Sequence, residues 1–216
     1  MKPFLLLMLS LPILAVEGAA ADWLVDHDVR ATLSVLPRSY DVNLKISPSR
    51  DSFSDSGTFD SAGSFAMDYQ ASLRKNDGPV SLLLGGGLDL IGMKEKDSYV
   101  KSTVDGVGLH GTIGGSCRLT SMFRVEGAVE LGFGAASSSI EDEDISLKSN
   151  YGDYSMIGVF FRPVVTFKPG FQLFGQIGYV GYKFNTTYDE TSAANKVNQT
   201  TNIKGTTYGL GVGWRF

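Results

Sequence analysis

His110-Gly111-Thr112 places an imidazole two residues from a hydroxyl, the side-chain types of a base and a nucleophile. On an extended chain residues i and i+2 share a face, so the two groups would stand side by side. Glu141-Asp142-Glu143-Asp144 gathers four carboxylates, a set able to hold a divalent cation. It lacks the glycine and spaced oxygen ligands of a defined calcium loop, which favours a solvated run. Gly85-Gly86-Gly87 would cradle a phosphate only ahead of a helix, and no helical pattern follows it. Cys117 is the single cysteine, which excludes an intramolecular disulfide and a multi-cysteine metal site. Eleven further charges recur at alternate positions within apolar runs: Asp41, Lys45, Asp68, Arg74, Asp89, Arg118, Arg124, Glu126, Glu130, Arg162 and Arg215. Five are acidic and six basic, so on one wall they could line an aqueous pore or pair and close it. No motif asks for a cofactor or a metal.

These residues need elements to hold them, and composition narrows the choice. The 216 residues carry 43% hydrophobic and 19% charged side chains, too apolar for a disordered chain. A formal charge of −4 leaves no basic excess for nucleic acid. The 26 glycines and 11% aromatics suit an all-β architecture. Lys2, the apolar stretch from Phe4 to Val16, and then Gly18-Ala19-Ala20-Ala21 read as a secretory signal peptide, too short to cross a bilayer as a helix. The expected division is a signal over 1–21 and one domain over 22–216, exported from the cell.

After that leader the recurring period is two, not 3.6. The last run is without error: Tyr208, Leu210, Val212, Trp214 and Phe216 on one face, Gly209, Gly211, Gly213 and Arg215 on the other. Seven more runs precede it: Tyr40–Ile46, Phe65–Leu73, Val80–Leu90, Val107–Leu119, Phe123–Ala135, Ser155–Phe167 and Phe171–Phe184. The stretch Val29–Leu36 is left as either part of the first strand or a separate segment. Tight turns are expected at Asn76-Asp77-Gly78-Pro79, Thr120-Ser121-Met122 and Lys168-Pro169-Gly170, with long polar loops at 47–62, 92–105, 137–150 and 185–203. Short and long connections alternating around eight strands describe an antiparallel up-and-down barrel.

A soluble barrel turns apolar residues inward, and alternation alone does not say which face is out. The polar face here is crowded with Gly, Ser and Ala and carries nearly balanced charges, as a cramped interior would. The apolar face of Leu, Val, Ile, Phe and Tyr then meets lipid, and closure leaves no unpaired backbone edge there. The expected fold is all-β: an eight-stranded antiparallel up-and-down transmembrane β-barrel.

The run Tyr208-Gly209-Leu210-Gly211-Val212-Gly213-Trp214-Arg215-Phe216 resembles the last strand of small Gram-negative outer-membrane barrels of the OmpA/OmpX or opacity-protein type. The resemblance implies the cell outer membrane as location. It implies that the C-terminal aromatic and alternate apolar residues are read by the barrel-assembly machinery, and that lipid and lipopolysaccharide surround the wall. A lipid A deacylase of that class would need His and Ser on the outer surface beside a carboxylate. His110-Gly111-Thr112 departs from this in residue type and in facing, so a lumenal His110 bonded to a carboxylate is expected and an enzyme is not. An eight-stranded interior is only just wide enough for its own side chains. The charge network of Asp68, Arg74, Asp89, His110, Arg118, Arg124, Glu126, Glu130 and Arg162 is therefore expected to close the lumen. That leaves a structural or surface-interaction role, with the long loops free to meet a host or surface ligand. A narrow channel for small or hydrophobic solutes is the alternative.

Overall fold

The structure is a computed structural model that describes residues 23–216, apart from 48–50, 76–77, 97–100, 142–145, 150 and 190–195. Eleven strands follow in order: β1 (Trp23–Val35), β2 (Ser39–Ser47), β3 (Ser52–Thr58), β4 (Ser61–Lys75), β5 (Val80–Lys96), β6 (Lys101–Arg118), β7 (Phe123–Glu141), β8 (Ser146–Lys148), β9 (Tyr151–Thr166), β10 (Phe171–Asp189) and β11 (Lys196–Arg215). Their pairing runs β1-β4-β5-β6-β7-β9-β10-β11, and β11 then bonds back to β1. Those eight strands close a ring, every neighbour antiparallel. At the seam Val35 pairs with Tyr208 and Asp28 with Arg215, and Phe216 donates its N–H to the His27 carbonyl at 3.0 Å.

Parity decides the facing. Leu33, Phe133 and Leu210 turn outward at 66%, 66% and 75% exposure, while Asp28, Leu83, Glu126 and Gln172 point to the axis and are buried. The outward apolar belt runs from Val80 to Leu90 on β5 and from Phe123 to Phe133 on β7, the roughly 9–11 residues a tilted strand needs to cross hydrocarbon. Trp214, Phe171 and Trp23 stand at one rim of this belt, Tyr179 and Tyr208 towards the other. Cys117 lies on the outward side, half-buried.

The first strand differs from expectation. The membrane-crossing strand is Trp23–Val35, and the Tyr40–Ile46 run is β2, an extension beyond the belt that pairs with β11 and turns back through β3. Its alternation is real but its facing is reversed. Tyr40, Val42, Leu44 and Ile46 turn inward opposite Ile203, Thr201, Gln199 and Val197, while Asp41 and Lys45 are exposed. Beyond the bilayer the outer surroundings are water, so the polar face turns out and the apolar face in.

The expected long loops differ too. Much of 92–105, 137–150 and 185–203 is strand continuing past the belt as paired hairpins. Its Thr and Ser residues pair well in a sheet without any apolar alternation to announce it. Between β1 and β2 the chain breaks at Leu36-Pro37-Arg38. Opposite, Gly205 takes φ +155°, and a Cβ there would press on the Pro37 ring at 3.0 Å. The barrel and its hairpin extension bend together at that level. At the other end Gly170 has φ +152°, and a Cβ would collide with the Arg215 carbonyl. The expected leader and Asp142, Glu143 and Asp144 lie outside the described residues; Glu141 is paired with Lys101 at 3.0 Å.

Candidate functional site in the barrel lumen

The lumen has two storeys of opposite character. Nearest the tight turns, β1 supplies Asp28 and Arg30, β7 Arg124 and Glu126, β10 Gln172 and β11 Arg215. Arg30 donates through both terminal nitrogens to Glu126, each at 2.7 Å, and from Nη2 to Asp28 at 2.8 Å. This two-pronged geometry is the strong form of a carboxylate bond. Arg124 donates from Nε to Glu126 at 2.8 Å and from Nη2 to Asp28 at 2.9 Å, and reaches Thr166 and Gln172 as well. Arg215 donates to Asp28 at 2.8 and 3.0 Å, and the Gln172 amide adds a bond to Asp28 at 2.9 Å. Asp28 and Glu126 are thus buried with their lone pairs occupied. At the rim Asp26 gathers Arg215, Arg74 and Arg118 at 3.2, 3.5 and 3.8 Å.

Midway up, His110 lies between two carboxylates. Its Nδ1 is hydrogen-bonded to Asp89 at 2.9 Å, and its Nε2 lies 2.6 Å from Asp68 Oδ1 without the alignment of a hydrogen bond. Gly87 makes this possible, since a Cβ there would meet Asp68 Oδ1 at 2.6 Å and His110 Cε1 at 2.9 Å. Beside it Arg162 is paired with Glu130 and donates to Gln176 at 2.6 Å, while Thr112 lies 3.5 Å from Glu130. The remaining space is a cavity of about 30 Å³ among Asp68, Asp89, Glu130 and Arg162, room for about one or two water molecules.

Above this level the interior is mostly apolar, with Ser138, Thr186 and Thr201 also buried. Met93, Val104, Phe160, Val180, Phe184 and Ile203 are buried there, with Tyr154 and Tyr182 among them. The β2–β3 hairpin and its joints close the top with Leu36 and Phe59. Tyr40 packs on Phe59 at 4.6 Å between centroids and donates to Glu95 at 2.7 Å, tying the hairpin to β5. Burial and the Glu95 carboxylate push the Tyr40 phenol up from its ordinary value. The storeys interlock: the Arg30 guanidinium lies 5.4 Å from the Phe174 ring centre and that of Arg162 5.2 Å from Phe160. Glycines give these rings their space. A Cβ on Gly211 would strike Phe174, one on Gly178 would strike Phe160, and Gly108 and Gly134 frame Tyr154.

Of the charges picked out from sequence, Arg124, Glu126 and Arg215 meet in the lower network, Asp68, Asp89 and His110 in the middle, and Glu130 with Arg162 beside them. Arg74 and Arg118 sit at the rim. Asp41 and Lys45 are not lumenal. The expectation of a polar interior throughout is corrected by the aromatic upper storey. Asp28 and Arg30, the centre of the network, went unnamed, although Asp26, Asp28, Arg30, Thr32 and Ser34 alternate with Val25, His27, Val29, Ala31 and Leu33. His27 interrupts that apolar face and hides it. Its own partners are Tyr69, with Oη at 2.5 Å from Nδ1, and the Tyr69 and Phe216 rings, on which it stacks. Tyr208, Leu210, Val212, Trp214 and Phe216 all stand exposed on the outer side of the seam strand.

Ring closure and an apolar outer belt around a filled polar and aromatic interior decide the architecture. The molecule is an eight-stranded transmembrane β-barrel. No protein-family model matches the chain, and no curated protein matches it in sequence. Solved outer-membrane proteins of Gram-negative bacteria are similar in fold. Ail, the attachment invasion locus protein of Yersinia pestis, is 11% identical with a TM-score of 0.39 over 87% of this chain and 98% of that one. Neisserial surface protein A is 14% identical, TM-score 0.38, over 88% and 97%. The outer membrane protease OmpT of Escherichia coli is 8% identical, TM-score 0.45, again over 88% and 97%.

Proposed function

We propose that this barrel is an integral outer-membrane protein with a closed lumen and a structural or surface-interaction role. The observation that carries the reading is the Asp28–Arg30–Arg124–Glu126–Arg215 network. Its buried charges are paired with one another, Arg30 Nε alone among these five residues lacking a hydrogen bond, and they span β1, β7 and β11 across the bore. Opening a path there would uncouple buried ions, which costs several kcal/mol per partner lost, about 3–5. The apolar storey above is a second seal, because an ion has no partner among Met93, Phe160 and Phe184. On this reading the signal over 1–21 is cleaved, and the hairpin end faces outward, where β2–β3 and its neighbours would meet a host or surface ligand. Lipid and lipopolysaccharide surround the belt. Tyr208, Leu210, Val212, Trp214 and Phe216 form the edge that the assembly machinery takes up. The protein is non-catalytic, with His110 engaged on both sides by carboxylates inside the wall.

A narrow channel is the second reading, favoured by the 30 Å³ polar cavity at mid-height. Conductance of the purified protein in planar bilayers separates the two: the closed reading expects a silent membrane, the channel reading discrete small currents.

A further inference from the structure

The outer wall at the hairpin end is hollowed where two outward-facing glycines adjoin. Gly63 of β4 pairs with Gly92 of β5 on one side and with Val35 of β1 on the other. Their inward neighbours Ala62, Ile91 and Met93 are buried, which fixes both glycines on the outer side of the wall. With no side chain at either position, the wall between Leu33, Phe65 and Leu90 recedes into a groove of about 400 Å³. The groove is shallow and wide open to the surroundings.

Two features of the groove select its occupant. Its lower end opens into the apolar belt beside Leu33 and Leu90, so hydrocarbon fills it. Its upper end is polar. Lys94, two residues beyond Gly92 on the same side of β5, is exposed, and Arg38 stands exposed at the β1–β2 joint, donating one bond to the Asp60 carbonyl. On the other flank the Asp105 carboxylate leans over Gly92, 3.6 Å from where a Cβ would sit. Cations for an anionic group and a carboxylate for hydroxyl donors, set above a hydrocarbon slot, match an amphiphile whose head carries both phosphate and sugar hydroxyls.

We propose that the Gly63–Gly92 groove seats one acyl chain of a phosphorylated glycolipid of the outer leaflet. Its phosphate lies towards Lys94 and Arg38, and its hydroxyls donate to Asp105. This rests on the outward orientation of the hairpins given above; proteolysis of the hairpins on intact cells reports that orientation separately.

The test uses the full mature chain folded in detergent with purified lipid A or with phosphatidylethanolamine, read by native mass spectrometry. One lipid A retained per barrel is expected, with at least a fivefold drop in the retained fraction for Gly92→Leu, which fills the groove. Gly111→Leu should retain as much as wild type, because Gly111 faces outward into open space elsewhere on the belt. Lys94→Gln adds no volume and is expected to weaken retention of lipid A, which keeps the test meaningful should Gly92→Leu fail to fold. Equal retention by wild type, Gly92→Leu and Lys94→Gln would overturn the proposal, as would retention of phosphatidylethanolamine in place of lipid A.

Discussion

Arg30 joins two buried carboxylates, Asp28 and Glu126, and its removal takes three hydrogen bonds from the network while Arg124 keeps its bonds to both. Buried ion pairs are weak evidence of stability in themselves, because desolvation offsets their attraction. Breaking one by deleting a partner is a different matter. Arg30→Met should lower unfolding stability by about 3–5 kcal/mol, measured by urea titration of the protein folded in lipid vesicles. Glu126→Gln keeps the shape but leaves Arg30 and Arg124 short of one charge, and should also destabilise, by about 1–3 kcal/mol. The glycines facing rings are as intolerant for a steric reason. Gly108→Val puts branched carbon where the Tyr154 hydroxyl and the Phe133 carbonyl already lie, so a loss of about 1–3 kcal/mol or failure to fold is expected in the same titration. Gly111→Val, facing open space, should sit within about 0.5 kcal/mol of wild type. Equal losses at the two glycines would mean that backbone freedom, not lumenal space, explains the glycine content.

Each strand carries one alternation through two environments, and the apolar side changes over at the edge of the belt. On β10, Leu173, Ile177 and Tyr179 face out within the belt, whereas beyond it Tyr182, Phe184 and Tyr188 face in and Lys183 faces out. The β2–β3 hairpin belongs wholly to the upper regime, so it should be dispensable for closing the ring. Replacing 39–58 with a short Asn-Gly turn should leave a barrel that still migrates differently on a gel before and after boiling. Loss of that shift would show that β2 nucleates the seam rather than extends it. The period of two located seven of the eight wall strands and the parity of their faces without any coordinates. The eighth was displaced because Tyr40–Ile46 alternates more cleanly than Trp23–Val35, where His27 breaks the apolar side. Alternation reports only that a strand has two unlike faces; which face is wet depends on its height, and height is set by the other strands. Phe160 was unreadable as lumenal because Val159 and Phe161 beside it are apolar too; Phe174 shares its parity with Gln172 and Gln176, which marks it as lumenal, and Phe184 lies beyond the belt, where the apolar side has changed over.

The near-zero mean hydropathy of +0.01 is the sum of an apolar outside below and an apolar inside above, with polar residues on the reverse of each. That arrangement gives the molecule two stacked seals of different chemistry. Ionic pairs lie where the wall is in lipid, with Phe174 and Phe160 against their guanidinium groups, and the packed rings continue to where the wall is in water. Between them lies a cavity of about 30 Å³. On the proposed reading the long hairpins and the lipid-facing wall, not the bore, are the surfaces offered for interaction. The most direct measurement is single-channel recording of the purified, folded protein in planar bilayers. The account predicts a silent membrane for wild type; discrete single-channel currents, small or large, from the wild-type protein would contradict it.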